Sequence, residues 1–322
     1  MRILVTGSSG FVGSALVPVL LCQHYEVTAV VRREQDKSQA GSNSFVVGNI
    51  DAITKWSKAL HGADVVIHLA ARVHAIGKHE SEDIKEFRRV NTDGTLNLAR
   101  QAAENGVKRF VYLSTIKVNG EATAPGRPFT SNDLAAPQDP YGISKHEAEV
   151  GLRALAQETK MQVVIIRPPL VYGPGAKGNF NTLMKIVARS LPLPFASIRN
   201  RRSLVGIDNL VNLISTCIEH PSAANETFLA SDAEDLSTPE LIRRMARAMD
   251  RPARLFPVPP VLLSNAATLV GKGDVALRLC GSLQVDISKS SELLGWKPTV
   301  SVDEALKKAL NGASRKTNLR FY

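Results

Sequence analysis

The segment RILVTGSSGFVG near the start of the chain passes from an apolar run directly into Gly7, Gly10 and Gly13, and then into a helical pattern. No other feature constrains the fold as much. Gly7 allows a tight turn, and Gly10 lets the backbone approach a pyrophosphate. Gly13 lets the next helix pack close to the strand, with the helix dipole favouring phosphate charge. A plain strand-to-helix turn needs one glycine, not three. The spacing predicts the first strand, loop and helix of a dinucleotide-binding sheet.

Six runs repeat the strand signal: RILVTG, EVTAVV, SFVVGN, DVVIHLA, RFVYLST and QVVIIRP. They are rich in Val and Ile and mostly apolar throughout, the pattern of strands buried on both faces of a parallel sheet. Helical patterns lie between them, among them GFVGSALVPVLLCQ, TKWSKALHG, VNTDGTLNLARQAAENG and GISKHEAEVGLRALAQETK. Alternation of this kind predicts an α/β fold, a Rossmann-type doubly wound parallel sheet that binds ligands at the carboxyl ends of its strands. Residues 1–168 are read as the dinucleotide-binding domain. Beyond Pro168 prolines cluster and regularity weakens, which predicts a smaller C-terminal substrate-binding domain over 169–322, with helices near TPELIRRMARAM and VDEALKKAL. The alternation in ETFLAS suggests that the chain returns to the main sheet around 203–230.

Composition narrows the function classes. The net charge is +10, but aromatic residues are only 5% of the chain, too few for the stacking that nucleic-acid binding would add to a basic stripe. A phosphate-rich substrate and cofactor account for part of the surplus. Cys22, Cys217 and Cys280 are far apart in apolar surroundings and share no metal-ligand spacing, so they read as buried thiols in the reducing cytoplasm. His74 and His79 lack the spacing of a helical zinc site, and no metal is expected. The N-terminal apolar run is too short for a signal peptide, and no 18-residue apolar stretch predicts a transmembrane segment. LFPVPPVLLSNAATLVG, from Leu255, is the longest candidate. It is interrupted by Pro257, Pro259 and Pro260 and reads first as a packed segment of the second domain, with interfacial membrane contact as the alternative.

Two further clusters bear on chemistry. Arg32 and Arg33 follow the second strand, and Arg32 lies 25 positions beyond Gly7, where such folds place the ribose-reading residue. Arginine there can pair with a 2′-phosphate, and no acid occupies positions 28–32, which favours NADP(H) over NAD(H). The alternative is two arginines facing water. PYGISK sets Tyr141 and Lys145 four residues apart on one helix face. A neighbouring ammonium and a positive nicotinamide would favour tyrosinate, the state a general base needs. YLSTIKVNG brings Ser114 and Thr115 to the carboxyl edge of the sheet, where one hydroxyl could bind a reacting oxygen.

Taken together, the glycine loop, HLAA at 68–71, Asn91 in VNTDGT, LST, the Tyr-Lys pair and RPPLVYGPG resemble the extended short-chain dehydrogenases/reductases, the nucleotide-sugar epimerase and dehydratase group. The resemblance spans nearly the whole chain. It implies that Thr115, Tyr141 and Lys145 are catalytic. It implies a cofactor held by Gly7, Gly10, Phe11, Val12 and Gly13 in the loop, by Arg32, Arg33, Asn49 and Ile50, and by Leu69, Ala70 and Ala71. Asn91, Ser114, Tyr141, Lys145 and Pro168 complete that set, Asn91 also holding the helix geometry around the lysine. Thr115, Asn179 and Arg202 are implied at a UDP-sugar, and a homodimer through residues 92–105 and 142–158; Lys117 either touches the sugar or is a lysine at the rim.

Departures from the group's pattern select among its activities. Its 4,6-dehydratases carry Asp-Glu directly after the catalytic threonine, where this chain has Ile116 and Lys117. STIKVNGEATAPGRPF is similar to reductases of UDP-2-acetamido-4-keto-2,6-dideoxyhexoses that serve bacterial surface polysaccharide. The expectation is therefore an NADPH-dependent 4-keto reductase. One alternative is a UDP-hexose or UDP-N-acetylhexosamine 4-epimerase with bound NAD, whose ribose site is commonly acidic. A catalytically silent NADP sensor is a third, and has no need of the acid-base set.

Overall fold

The computed structural model describes residues 1–34, 43–73, 80–176, 178–269 and 273–316. His74 and His79 lie outside them. The main sheet is built from β1 (Arg2–Thr6), β2 (Glu26–Val31), β3 (Asn43–Val46), β4 (Val65–His68), β5 (Arg109–Leu113) and β6 (Gln162–Arg167). After β7 (Leu170–Tyr172) and β8 (Arg202–Gly206), the chain adds β9 (Thr227–Leu229) beside β6. The order is β3-β2-β1-β4-β5-β6-β9, every pair parallel. The doubly wound sheet expected from the sequence is present. Its order reverses between β1 and β4, and this opens a crevice at the strands' carboxyl ends. A second sheet joins β10 (Asp235–Leu236), β8 and β7.

Strand alternation fills both faces. Ile3 and Val5 of β1 point with Ile67, Val111 and Val164 to one face, against α1 (Gly13–Cys22). Leu4 points with Val66, Phe110 and Val163 to the other. That second face is covered by α2 (Ser57–Leu60), which follows the buried Trp56, and by α4 (Gly94–Glu104) and α5 (Pro140–Glu158). Ahead of α4 run α3 (Glu80–Phe87) and a π-helical turn, Arg88–Asp93. α6 (Asn179–Ala188) belongs to a third cluster, whereas α7 (Ile207–Glu219) returns to the first face beside α1. α8 (Thr238–Ala248) packs on α6 and begins with a Ser237–Glu240 capping box. α9 (Pro260–Leu269), α10 (Gly273–Cys280), α11 (Ser288–Leu294) and α12 (Val302–Lys316) complete the described chain, and no described helix is long and apolar enough to cross a membrane.

Three expectations are corrected. TKWSKALHG makes only the single turn α2. Cys22 is exposed, because α1 ends at the surface, while Cys217 is buried. The segment after Leu255 is not packed inside a domain: Phe256, Val261, Leu262 and Leu269 are exposed. Its prolines start a helix whose main neighbour is α10, and two short helices cannot bury each other's apolar surface on every side.

Candidate active site

The glycine loop has the close approaches its spacing predicts. Gly7 adopts φ +68°, and a Cβ there would lie 2.8 Å from the Ala70 amide nitrogen. A Cβ on Gly13 would lie 2.3 Å from the Gly7 carbonyl oxygen, so β1 and α1 could not close together. The Gly10 amide donates to the Gly7 carbonyl at 2.9 Å, and Ser8 Oγ donates to the Val30 carbonyl, fastening the loop to β2. No side chain caps the start of α1, where the Ser14 amide donates to the Gly10 carbonyl at 2.9 Å and the Leu16 amide to the Val12 carbonyl at 2.9 Å.

Beside this loop lies a cleft of about 650 Å³. Of the residues expected at a cofactor, Gly7, Gly10, Arg32, Arg33, Asn49, Ile50, Leu69, Ala70 and Ala71 line it. Ser9, Arg72 and Arg89 line it too, and the sequence reading missed them. The lining fits a dinucleotide. A Cβ on Gly10 would meet only the Gly7 carbonyl within 4 Å, so its far side is open for a phosphate to approach. Arg72 Nε is buried with no hydrogen-bond partner among the described residues, a donor suited to an anionic ligand. Arg32 and Arg33 are exposed at the rim, where β2 ends. Phe11 and Val12 instead pack against the core, Phe11 touching both the first-face cluster and the third cluster.

The second group of residues stands on β5 and α5. Asp139 caps α5, accepting from the Gly142 amide at 2.6 Å, and Pro140 takes the first turn. Tyr141 is then half-buried beside Phe87, their ring centroids 6.1 Å apart. One turn on, Lys145 is fully buried, its Nζ 4.0 Å from the centroid of the Tyr112 ring. Burial takes the Lys145 ammonium down to about 7, opposed by the Glu149 charge. Burial pushes the Tyr141 phenol well above its ordinary range, and the Asp139 charge adds to the rise. In the protein itself burial thus favours the neutral phenol and the neutral amine.

Four other expected residues are engaged with the protein's own groups. Asn91 spends its amide on the backbone of Arg72, at 2.8 and 3.0 Å, and on Ser144 Oγ at 3.0 Å. It braces α5 rather than offering a cofactor ligand. Ser114 Oγ donates to Glu149 at 2.5 Å, which leaves Thr115 as the hydroxyl at the strand end. Lys117 is ion-paired with Glu121 and Asp139 and not aimed at a sugar. Pro168 is buried, its carbonyl accepting from the Ile116 amide at 2.9 Å. Glu149 was missed. It binds Arg167 through two bonds of 2.9 and 2.5 Å, and Arg167 reaches Asn119 at 2.9 Å. Only its place four residues after Lys145 could have signalled it.

Beyond β7, Asn179 is exposed at the first turn of α6, after Gly178 at φ +71°. Arg202 is half-buried on β8 and donates to the Gly281 carbonyl at 2.9 Å. Burial lowers its pKa, Glu121 opposing and Arg278 reinforcing the shift, so Arg278 is a second cation nearby. Among the described residues no group of three His, Cys, Asp or Glu could hold a metal.

A match to the NAD dependent epimerase/dehydratase family covers residues 3–230, more than half the chain. The chain belongs to that family. Its members act as enzymes on nucleotide sugars with a nicotinamide dinucleotide, and the glycine-loop cleft is suited to one. The chain is 51% identical to a UDP-glucose 4-epimerase of Vibrio cholerae, over 95% of this chain and 93% of that protein. Among solved structures, a UDP-glucuronic acid 4-epimerase from Bacillus cereus in complex with NAD matches with TM-score 0.80, at 24% identity, covering 99% and 98% of the two chains. A UDP-glucose 4-epimerase from Thermotoga maritima with UDP-glucose matches at 0.77 and 23%, covering 98% and 99%. At these identities the structures speak to the fold alone.

Proposed function

We propose that this family member is a UDP-hexose or UDP-N-acetylhexosamine 4-epimerase. The 51% identity with the V. cholerae UDP-glucose 4-epimerase, nearly end to end, carries the reading and moves it away from the 4-keto reductase expected from the sequence. Gly7, Gly10, Leu69, Ala70 and Ala71 would hold a nicotinamide dinucleotide, which would supply the hydride acceptor and donor for carbon 4 of the sugar. Tyr141 takes the proton of the 4-hydroxyl as the hydride leaves and gives it back when the 4-keto sugar is reduced on its other face, so no net redox change occurs. Thr115 donates a hydrogen bond to the same oxygen as it gains and loses charge. Lys145 supplies the positive charge that tyrosinate requires, and Asn91 and Asp139 hold the start of α5. Arg202, with Arg278 and the first turn of α6 at Asn179, offers the cationic surface for the diphosphate of UDP. In this reading the second sheet and α6, α8 and α12 form the substrate-binding part. A homodimer through α4 and α5 belongs to it too, and Val150 is exposed on the latter.

The cofactor is a separate question from the reaction. Arg32 and Arg33 on the cleft rim support NADP, with NAD second. They also support the second reading, NADPH-dependent reduction of a UDP-4-keto-6-deoxy-N-acetylhexosamine for surface polysaccharide. One experiment separates the two. Purified protein is given UDP-glucose or UDP-N-acetylglucosamine without added cofactor, and in parallel a UDP-4-keto-6-deoxy sugar with NADPH, with products resolved by chromatography. Conversion to the galacto isomer supports the epimerase. NADPH consumption with no isomerisation overturns it in favour of the reductase.

A further inference from the structure

α9 is a ten-residue helix without one charged side chain, PVLLSNAATL, and it leaves most of that apolar surface in solvent. Val261 is 68% exposed, Leu262 58% and Leu269 87%. Phe256 just before it, Leu191 and Leu277 of α10 are exposed as well. Leu191 and Phe256 share one surface, because the Phe256 amide donates to the Leu193 carbonyl at 3.0 Å and the Leu193 amide to the Arg254 carbonyl at 2.8 Å. A helix of this length is about half of a membrane span and cannot cross a bilayer.

The charge around this patch is as lopsided as its hydrophobicity. In sequence, residues 177–207 and 241–281 hold thirteen Lys and Arg and two acids, Asp250 and Asp274, although Arg244 is ion-paired with Glu234 and Asp303 from outside these stretches. The whole chain carries +10, so the rest of the molecule is close to neutral. Arg199, Arg251, Arg254 and Arg278 of these stretches are exposed. α6 and α8, which carry others, pack on each other beneath the same lobe.

We propose that α9, with its apolar and arginine-bearing flanks, docks this protein onto the surface of an anionic lipid bilayer. Aliphatic side chains enter the headgroup and acyl boundary, and the arginines meet the phosphates. Each element of the patch selects this occupant. A second copy meeting the same face across a two-fold axis would set the exposed Arg199, Arg251 and Arg254 against their own copies. Nucleic acid would match the charge but leave Val261, Leu262 and Leu269 without a partner. The docked surface also lies next to the candidate site, since Gly281, just after α10, accepts from Arg202 of β8 and from Asn200 just before it.

The test is flotation of the full chain with phosphatidylcholine vesicles containing about a third phosphatidylglycerol, against pure phosphatidylcholine vesicles. Binding is expected to the anionic vesicles, to fall at least about fivefold on pure phosphatidylcholine or in molar salt, following the loss of polybasic attraction. The double variant L262D/L269D, at exposed positions that leave the core intact, should melt as the wild type does yet lose about tenfold or more in binding. R251E/R254E should lose anionic preference while keeping the apolar surface. Absence of binding to anionic vesicles, equal binding to both vesicle types, or unchanged binding by L262D/L269D overturns the proposal. So does light scattering that shows a dimer dissociated by L262D/L269D, which would identify a second copy as the occupant.

Discussion

Lys145 sits between two opposing influences, burial and the carboxylate of Glu149 one turn along α5. Glu149 also accepts from Ser114 and holds Arg167, itself nearly without exposure. Glu149→Gln keeps the shape and removes the charge. Lys145 should then lose its proton at a still lower pH, moving the basic limb of the pH–rate profile in the acid direction. Arg167 would be left buried opposite a neutral amide, and one-sided loss of a buried pair costs about 3–5 kcal/mol, measurable by urea unfolding. An unchanged pH profile with lowered stability would show that Glu149 supports the fold and not the lysine. Arg32 makes a different kind of prediction. If it grips a 2′-phosphate through a charge-assisted bond worth about 1.5–3 kcal/mol, NADP should bind roughly ten- to a hundredfold tighter than NAD. Arg32→Asp should reverse that order by adding repulsion. Equal affinities in the wild type, measured by calorimetry, would leave the arginines facing water.

At the scale of elements, α5 presents the acid-base pair, and its first turn decides where Tyr141 stands. Asp139 caps that turn and is ion-paired with Lys117 from the turn after β5, so one carboxylate joins the two elements that carry Thr115 and Tyr141. Asp139→Ala should cost about 1–2 kcal/mol of stability from the lost cap. It should also lower turnover more than substrate affinity. A variant with normal turnover would detach the cap from catalysis. The strands were legible because a strand buried on both faces must be an apolar Val and Ile run. The glycine loop was legible because only glycine tolerates the 2.3 Å approach at position 13. Side-chain pairings were not. Lys117 has its acids 4 and 22 positions away, and nothing in its neighbourhood distinguishes that from a lysine reaching a sugar. Asn91 was expected to hold the helix around the lysine, but it lies in a π-helical turn whose register the sequence does not signal, so its particular partner Ser144 came only with the structure. α9 was misread because an apolar run carries no mark of whether anything will cover it.

The whole molecule answers to pH through groups sealed in the centre of the sheet. His68 ends β4, the strand between β1 and β5, and is wholly buried, held by Thr6 Oγ1 at 2.7 Å and Thr95 Oγ1 at 2.9 Å. Burial, aided by the Lys145 charge, takes its imidazole down to about 3. The unfolded chain protonates His68 below about pH 6.5 while the folded protein does not, so stability falls as pH drops from 6.5 toward 3. Between pH 6.5 and 5 the loss from this residue should be about 2 kcal/mol, at roughly 1.4 kcal/mol per unit. Lys145 acts with the same sign at higher pH. Its folded value near 7 lies below its unfolded value, so its destabilising effect is relieved as pH rises from about 7 toward 10. Because β4 is hydrogen-bonded on both sides, admitting the His68 proton requires opening the sheet, and the effect should appear as cooperative unfolding instead of local fraying. Urea unfolding of the wild type and His68→Gln at pH 5, 6.5 and 8 isolates the residue, since the carboxylates titrate alike in both. The gap between the two proteins should change by about 2 kcal/mol from pH 6.5 to 5, the variant losing less. A gap independent of pH would mean that the folded protein takes up the proton on His68 as readily as the unfolded chain does.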